Sequence, residues 1–233
     1  MIFYTILAIF TSCIMSADFP QNAKDILSVI VERSTGFSYS SLLEIVEENR
    51  GIKMEPIKAK IDVYLIESDT LEVLSTVELI LPEKLAGTRI QEYKFNKSES
   101  KRLLKLPNNF VEDISNDSFY SNLSVDFESI ENNINNCTNG ITSNNIKENI
   151  LIIESVCSDL TVKRRLIRFD YSKNLMESIK EYGRAGKLIK KISFLNYLVD
   201  GPKVFPLEIL IDEPRKRKKT IIKFIEFKFE NNK

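Results

Sequence analysis

The chain has 233 residues, with 33 basic and 33 acidic side chains and 43% hydrophobic content, enough for one substantial core. Balanced charge gives no bulk field for nucleic acid or for a strongly anionic membrane. With no His and no Trp, no Ser-His-Asp triad, Cys-His pair or His-ligated zinc site can be built.

Gly is scarce, at 7, and no Gly-rich phosphate loop is present. No motif supports a hydrolase built on Asp, Glu or Lys, so no catalytic residue, metal or cofactor is expected, and the chain is read as a non-enzyme.

From Ile2 to Ile14 the chain is nearly all apolar, and Met15-Ser16-Ala17 then gives way to Asp18. The segment is too short to span a bilayer and lacks the basic flanks of a stop-transfer helix. It reads as a secretory signal over residues 1–17, cut near Ser16 or Ala17, with one domain from 18 to 233. A second reading competes: Phe10-Thr11-Ser12-Cys13 is a loose lipobox, and an acylated Cys13 would tether the protein. With the signal removed, Cys137 and Cys157 remain. In an oxidising compartment they could pair and staple a loop to the following strand; two thiols are the alternative, since sequence fixes no geometry.

The spacing of Ile26, Val29 and Ile30 predicts a helix over Asn22–Arg33, with Asn22 as N-cap and Gly36 past its end. A lone amphipathic helix needs a sheet to lie on. Strands are expected at Phe37–Glu48, Ile57–Leu65, Val73–Leu81, Thr88–Phe95 and Arg102–Leu106. Ile57 to Leu65 alternates strictly, as a half-buried strand does. From Pro107 to Asn145 the chain is rich in Asn and Ser and reads as loops with short lid helices, Ile130 and Ile134 marking one of them. Strands resume at Asn149–Val156, Val162–Tyr171, Leu175–Tyr182, Leu188–Leu198, Val204–Ile211 and Thr220–Phe229. Gly183-Arg184-Ala185-Gly186 and Asp200-Gly201-Pro202 carry turn chemistry. Close spacing without intervening helices means antiparallel meanders. The fold class is α+β, mostly β, with about eleven strands.

Pro214-Arg215-Lys216-Arg217-Lys218-Lys219 is the densest charge run, placed at a hairpin tip. Arg215, Lys216, Arg217, Lys218 and Lys219 read first as a solvated turn, and docking to anionic headgroups or an acidic partner is the functional alternative. Lys163-Arg164-Arg165 and Lys190-Lys191 read as solvent-facing. Glu154, Asp159, Asp212 and Glu213 read as surface charges, with no spacing that sets two carboxylates across a cleft.

Leu81-Pro82-Glu83-Lys84-Leu85-Ala86-Gly87-Thr88 resembles the "P-x-x-x-x-G-T" step of the outer-membrane lipoprotein-sorting proteins, the LolA-like family. The Leu-Pro step follows at Leu104-Lys105-Leu106-Pro107, and the aromatic-polar segment at Ser118-Phe119-Tyr120-Ser121 and Ser124-Val125-Asp126-Phe127. Phe194-Leu195-Asn196-Tyr197 with Val204-Phe205-Pro206 resembles the "f-x-x-y … fP" step. The likeness covers roughly Ala23 to Phe229. It departs where Ser121-Asn122 stands in place of a Gly-polar pair and in the Asn-rich stretch 132–145.

The resemblance implies an incomplete, curved antiparallel β-barrel, a half-barrel covered by an N-terminal helix and short lid helices. It implies a monomeric periplasmic carrier whose cavity holds lipoprotein acyl chains. Its partners would be acylated lipoproteins, an inner-membrane lipoprotein-releasing ABC transporter and an outer-membrane acceptor. A tethered acceptor, or a lipoprotein-sensing regulator of the same fold, is the alternative. The expected lining is Ile61, Val63, Leu65, Val77, Leu79, Ile90, Ile152, Leu166, Ile192, Phe194, Phe205, Leu207, Ile209 and Phe227. Alternating apolar positions serve equally as ordinary core, and only a hollow on the inner face separates the two.

Overall fold

The structure is a computed structural model that describes residues 22–66, 71–95, 99–115, 137–145, 147–157 and 162–230. The expected signal segment with Cys13, the aromatic-polar segment and the expected lid helix at Ile130 and Ile134 lie outside the described residues.

Helix α1 spans Ala23–Thr35, and its N-cap is the expected Asn22, whose side chain accepts the Asp25 backbone N–H at 2.9 Å. Gly36 closes it, donating its N–H to the Glu32 carbonyl; a Cβ there would meet that oxygen at 2.6 Å. The buried stripe is Ala23, Ile26, Leu27 and Ile30. Val29, expected on that stripe, is exposed, because Leu27 completes the i, i+3, i+4 set with Ala23 and Ile30 instead.

Fourteen strands follow among the described residues: β1 (Ser38–Asn49), β2 (Ile52–Lys53), β3 (Ile57–Leu65), β4 (Leu71–Leu81), β5 (Arg89–Phe95), β6 (Glu99–Lys105), β7 (Val111–Asp113), β8 (Cys137–Asn145), β9 (Ile150–Cys157), β10 (Arg164–Asp170), β11 (Leu175–Tyr182), β12 (Leu188–Asp200), β13 (Lys203–Glu213) and β14 (Lys218–Glu230). They form one antiparallel sheet ordered β7-β6-β5-β4-β3-β1-β14-β13-β12-β11-β10-β9-β8, with β2 folded back on β1. The first strand therefore meets the last at the middle of the sheet, and the outermost strands β7 and β8 do not pair with each other.

All eleven expected strands are present. The Asn-rich stretch 137–145, expected as loop or lid helix, is instead the edge strand β8. Its residues are almost all exposed and polar, so it carries no buried face to betray a strand, and its order comes from the ladder to β9.

One face of the sheet is apolar and closes on α1. Leu43 and Ile45 of β1, Ala59 and Ile61 of β3, Leu151 and Ile153 of β9, Ile167 and Phe169 of β10, and Ile192 and Phe194 of β12 join the helix stripe in one buried cluster. The helix touches both β13 and β8. Those strands are five spacings apart, about 24 Å across a flat sheet, while a helix is about 10 Å wide; the sheet bends round the helix. The outer face carries charge ladders such as Glu44–Lys58 at 3.7 Å and Glu78–Arg89 at 2.9 Å.

A bulge lets β14 keep its apolar face inward. Ser40 pairs with Lys228 while Leu42 pairs with Ile225, so Phe227 and Glu226 together oppose Ser41. Glu226 adopts φ 55°. In an unbroken strand Phe227 would face away from the side that Phe224 faces; the extra residue returns Phe227 and Phe229 to it.

Candidate functional site

The inner face divides into a filled half and an open half, the open half being the one whose apolar side chains are less deeply buried. In the filled half, Phe205 stacks on Phe227 with ring centroids 4.4 Å apart and meets Phe224 edge-on at 4.8 Å. Tyr39 lies 5.0 Å from Phe205 and 5.1 Å from Phe227. Such tilted and offset contacts add to area burial. Burial pushes the Tyr39 phenol far above its ordinary pKa. Phe205, Ile209, Ile192 and Phe194 are at most 5% exposed. They are core, closed by their neighbours and by α1, and not the lining expected of them.

The open half is built by β3, β4, β5 and β6. Registers place Ile61 beside Val77, Val77 beside Ile90 and Ile90 beside Leu104, one apolar row across four strands. Leu79 flanks that row beside Ala59, and Val63 and Leu65 continue β3. Val63, Leu65 and Val77 are only half-buried, as are Leu207 and Phe227 at the boundary with the filled half. One row further on, Glu92 and Arg102 pair at 2.7 Å and make the strip polar.

Ile152 and Leu166 are corrections. Leu151, Ile153, Ile167 and Phe169 hold the inner face, so strict alternation turns Ile152 and Leu166 outward. The run Ile150-Leu151-Ile152-Ile153 is apolar at every position, which hides its parity in the sequence. Leu104, part of the row, shares its face with Arg102 and Leu106 and is not in the expected lining.

Arg165, expected in solvent, is also a correction. It is buried and pairs with Glu181 across β10 and β11 at 2.8 Å. Its other neighbour is Ser155, which in turn hydrogen-bonds Asn139 at 2.5 Å. A polar row thus crosses β8 to β11 at the end of the closed half. The Cys137–Cys157 disulfide is formed, with the two residues directly opposite on β8 and β9, and Arg165 Nη1 lies 3.2 Å from Cys157 Sγ. The bond joins two strands, not a loop to a strand.

The motif residues have local reasons. Between β4 and β5, Glu83–Leu85 makes one 3-10 turn, and Gly87, at φ +79°, donates to the Leu79 carbonyl while Leu79 donates to that of Thr88. That left-handed conformation favours Gly. The second motif ties β12 and β13 to the helix. The Tyr197 hydroxyl donates to the Met176 carbonyl, and Tyr197, Val204 and Pro206 join Ile30, Arg33, Asn174 and Met176 around a cleft of about 10 Å³, room for about one water, at the end of α1. The cleft is smaller than ligand pockets usually are. Burial, then the charge of Glu177, raises the Tyr197 pKa. Arg33 donates to the Pro202 carbonyl at 2.8 Å and locks the helix to the hairpin.

Arg215, Lys216 and Arg217 sit in the β13–β14 turn and are exposed. Lys218 and Lys219 begin β14; Lys216 pairs with Glu213 and Lys218 with Glu47. Among the described residues no group of His, Cys, Asp and Glu could hold a metal, and no helix is long and apolar enough to cross a membrane.

A single antiparallel sheet bent part of the way round one helix, greasy within and charged without, is a half-barrel. No family model matches the chain, and no curated protein matches it in sequence. Solved structures do match. A DUF1329 family protein from Desulfovibrio piger aligns at TM-score 0.72 and 15% identity over 89% of this chain and 91% of that one. A domain assigned as an outer membrane lipoprotein-sorting protein, from Vibrio parahaemolyticus, aligns at 0.68 and 15% over 89% and 92%. A LolA superfamily protein from Nitrosomonas europaea aligns at 0.63 and 14% over 91% and 95%. The chain shares its fold with these proteins, and at these identities the likeness is one of fold alone.

Proposed function

We propose that this protein is a periplasmic, non-enzymatic carrier that takes lipoprotein acyl chains against the open half of its inner face and moves lipoproteins from the inner to the outer membrane. The observation that carries this reading is the half-buried apolar strip of Val63, Leu65 and Val77, continuous with Ile61, Leu79 and Ile90, beside a core that is otherwise closed. Each acyl methylene withdrawn from water is worth about 0.8 kcal/mol, so a multiply acylated lipoprotein does not cross an aqueous space unaided. A strip of aliphatic side chains takes such chains without directional bonds and lets them go by the same route. The carrier would receive its cargo from an inner-membrane lipoprotein-releasing ABC transporter and deliver it to an outer-membrane acceptor. Sharing a fold with a lipoprotein-sorting domain supports the reading.

The test is native mass spectrometry of the protein taken from its own cell envelope, paired with depletion. Bound triacylated polypeptide, and lipoproteins held at the inner membrane after depletion, are the expected results. Normal delivery of lipoproteins to the outer membrane in depleted cells would overturn the carrier role.

A further inference from the structure

One end of the sheet differs from the other. There β1, β4, β6, β9, β11 and β13 end and their partners begin; the connections described throughout are 50–56, which includes β2, 82–88, 106–110, 183–187 and 214–217. Large apolar side chains stand in solvent at these turns: Ile52 is 68% exposed, Phe110 54%, Met54 52% and Leu85 41%. The same turns hold exposed cations, with Arg50 and Lys53 in the first, Lys84 in the second, Arg184 and Lys187 in the fourth and Arg215, Lys216 and Arg217 in the last, against Glu55 and Glu83 alone. Of the eight cations only Lys216 makes an ion pair among the described residues. The chain is neutral overall, so this charge is local. At the opposite end, the turns 147–149, 171–174 and 201–202 hold Lys147, Glu148 and Lys173, the last paired with Asp170.

The turns are physically joined. Arg50 donates its N–H to the Arg217 carbonyl at 2.8 Å, which sets the apolar 50–56 turn beside the basic one. A Cβ on Gly87 would lie 3.6 Å from the Pro107 ring, so 82–88 and 106–110 touch as well.

We propose that this end of the half-barrel docks on an anionic lipid surface. Ile52, Met54, Leu85 and Phe110 enter the boundary between headgroups and acyl chains, while the surrounding cations meet lipid phosphates. Charge complementarity selects the occupant. Exposed apolar side chains on the same connections as the cations suit the boundary between headgroups and acyl chains, which takes both kinds of group at once. The docking end goes beyond the carrier reading and stands without it.

The test is cosedimentation of the mature chain with vesicles of phosphatidylglycerol and phosphatidylethanolamine, and with vesicles of phosphatidylcholine alone. Binding to the anionic vesicles that weakens with salt is expected. The triple variant Lys53→Gln/Arg215→Gln/Arg217→Gln, checked for folding by circular dichroism, should bind roughly a hundredfold more weakly, as the loss of three surface cations implies. Ile52→Ser/Phe110→Ser should weaken binding with the charge unchanged. Equal affinity for both vesicle types, no binding to either, or a triple variant that binds as the parent does would each overturn the proposal. So would capture of an acidic protein by the same end in place of vesicles. Bound cargo mass, read on the same variants, should not change, which separates a failure here from a failure of the carrier reading.

Discussion

Arg165 and Glu181 face each other across β10 and β11, Nε to Oε1 2.8 Å, with side chains only 10% and 8% exposed at the end of an otherwise apolar face. A buried pair of this kind is dangerous to break and cheap to replace whole. Arg165→Met leaves the Glu181 carboxylate in the interior and should lower stability by about 3–5 kcal/mol. Arg165→Met/Glu181→Leu should recover most of that loss. Urea unfolding of the two variants measures the difference. A single variant within about 1 kcal/mol of the parent would mean that water reaches Glu181 after all.

The disulfide bears on the edge strand. β8 is nearly all exposed and polar, so it is held by its ladder, the Ser155–Asn139 hydrogen bond, its contact with α1 and the Cys137–Cys157 bond, with no apolar face of its own. The bond closes a loop with a sequence separation of 20, for which loop entropy gives about 3 kcal/mol. Cys137→Ser/Cys157→Ser should lose up to that amount, and the β8 amides should be the first to lose exchange protection. Hydrogen exchange that rises evenly over the whole sheet would instead tie β8 to the global unfolding unit.

Much of this architecture was legible before the structure. Alternation in Ile57–Leu65 and the turn residues between later strands announce the meander, and Asn22 and Gly36 bracket the helix. The misses share physical causes. β8 has no apolar face, so no period marks it. β9 has two, so its period does not say which is inner, and Ile152 was placed on the wrong side. Arg165 has its partner sixteen residues away on a neighbouring strand, where no local spacing rule reaches. Whether an alternating residue is core or lining depends on what lies opposite. Phe205 and Val77 read alike in sequence and differ because the aromatic cluster of Tyr39, Phe224 and Phe227 covers the first.

Acid should act on the β10–β11 turn. Asp170 is 5% exposed and accepts the Ser172 N–H at 3.0 Å, the Ser172 hydroxyl at 2.7 Å and the Lys173 N–H at 3.1 Å, with the Lys173 ammonium at 3.1 Å. Burial raises the carboxyl pKa, but the hydrogen bonds from Ser172 and Lys173 outweigh it, and the net direction is down. A pKa lowered on folding contributes stability that is complete above the ordinary carboxylate range, near pH 4, and is lost as pH falls through the depressed value. Asp170→Asn should therefore lower stability at neutral pH and flatten the decline on the acid side. Urea midpoints from pH 7 to pH 2 report both, and parallel curves would remove Asp170 from the acid response.

The division of the inner face makes opposite demands on two apolar residues. Phe205 is 1% exposed and touches Tyr39, Phe224 and Phe227, so Phe205→Ala should lose about 3–5 kcal/mol through the cavity it leaves. Any fall in cargo binding in that variant would follow from unfolding. Val77 is half-buried in the open strip, where a polar side chain can still reach water, and Val77→Glu should stay within about 2 kcal/mol of the parent. Its carboxylate would lie in the path of an acyl chain, where burial without a partner is strongly unfavourable. Folded Val77→Glu protein should therefore lose bound lipoprotein in native mass spectrometry, while Val77→Leu keeps it. If Val77→Glu protein carries cargo as the parent does, acyl chains do not lie on the β3–β6 strip, and a carrier function would have to use another surface.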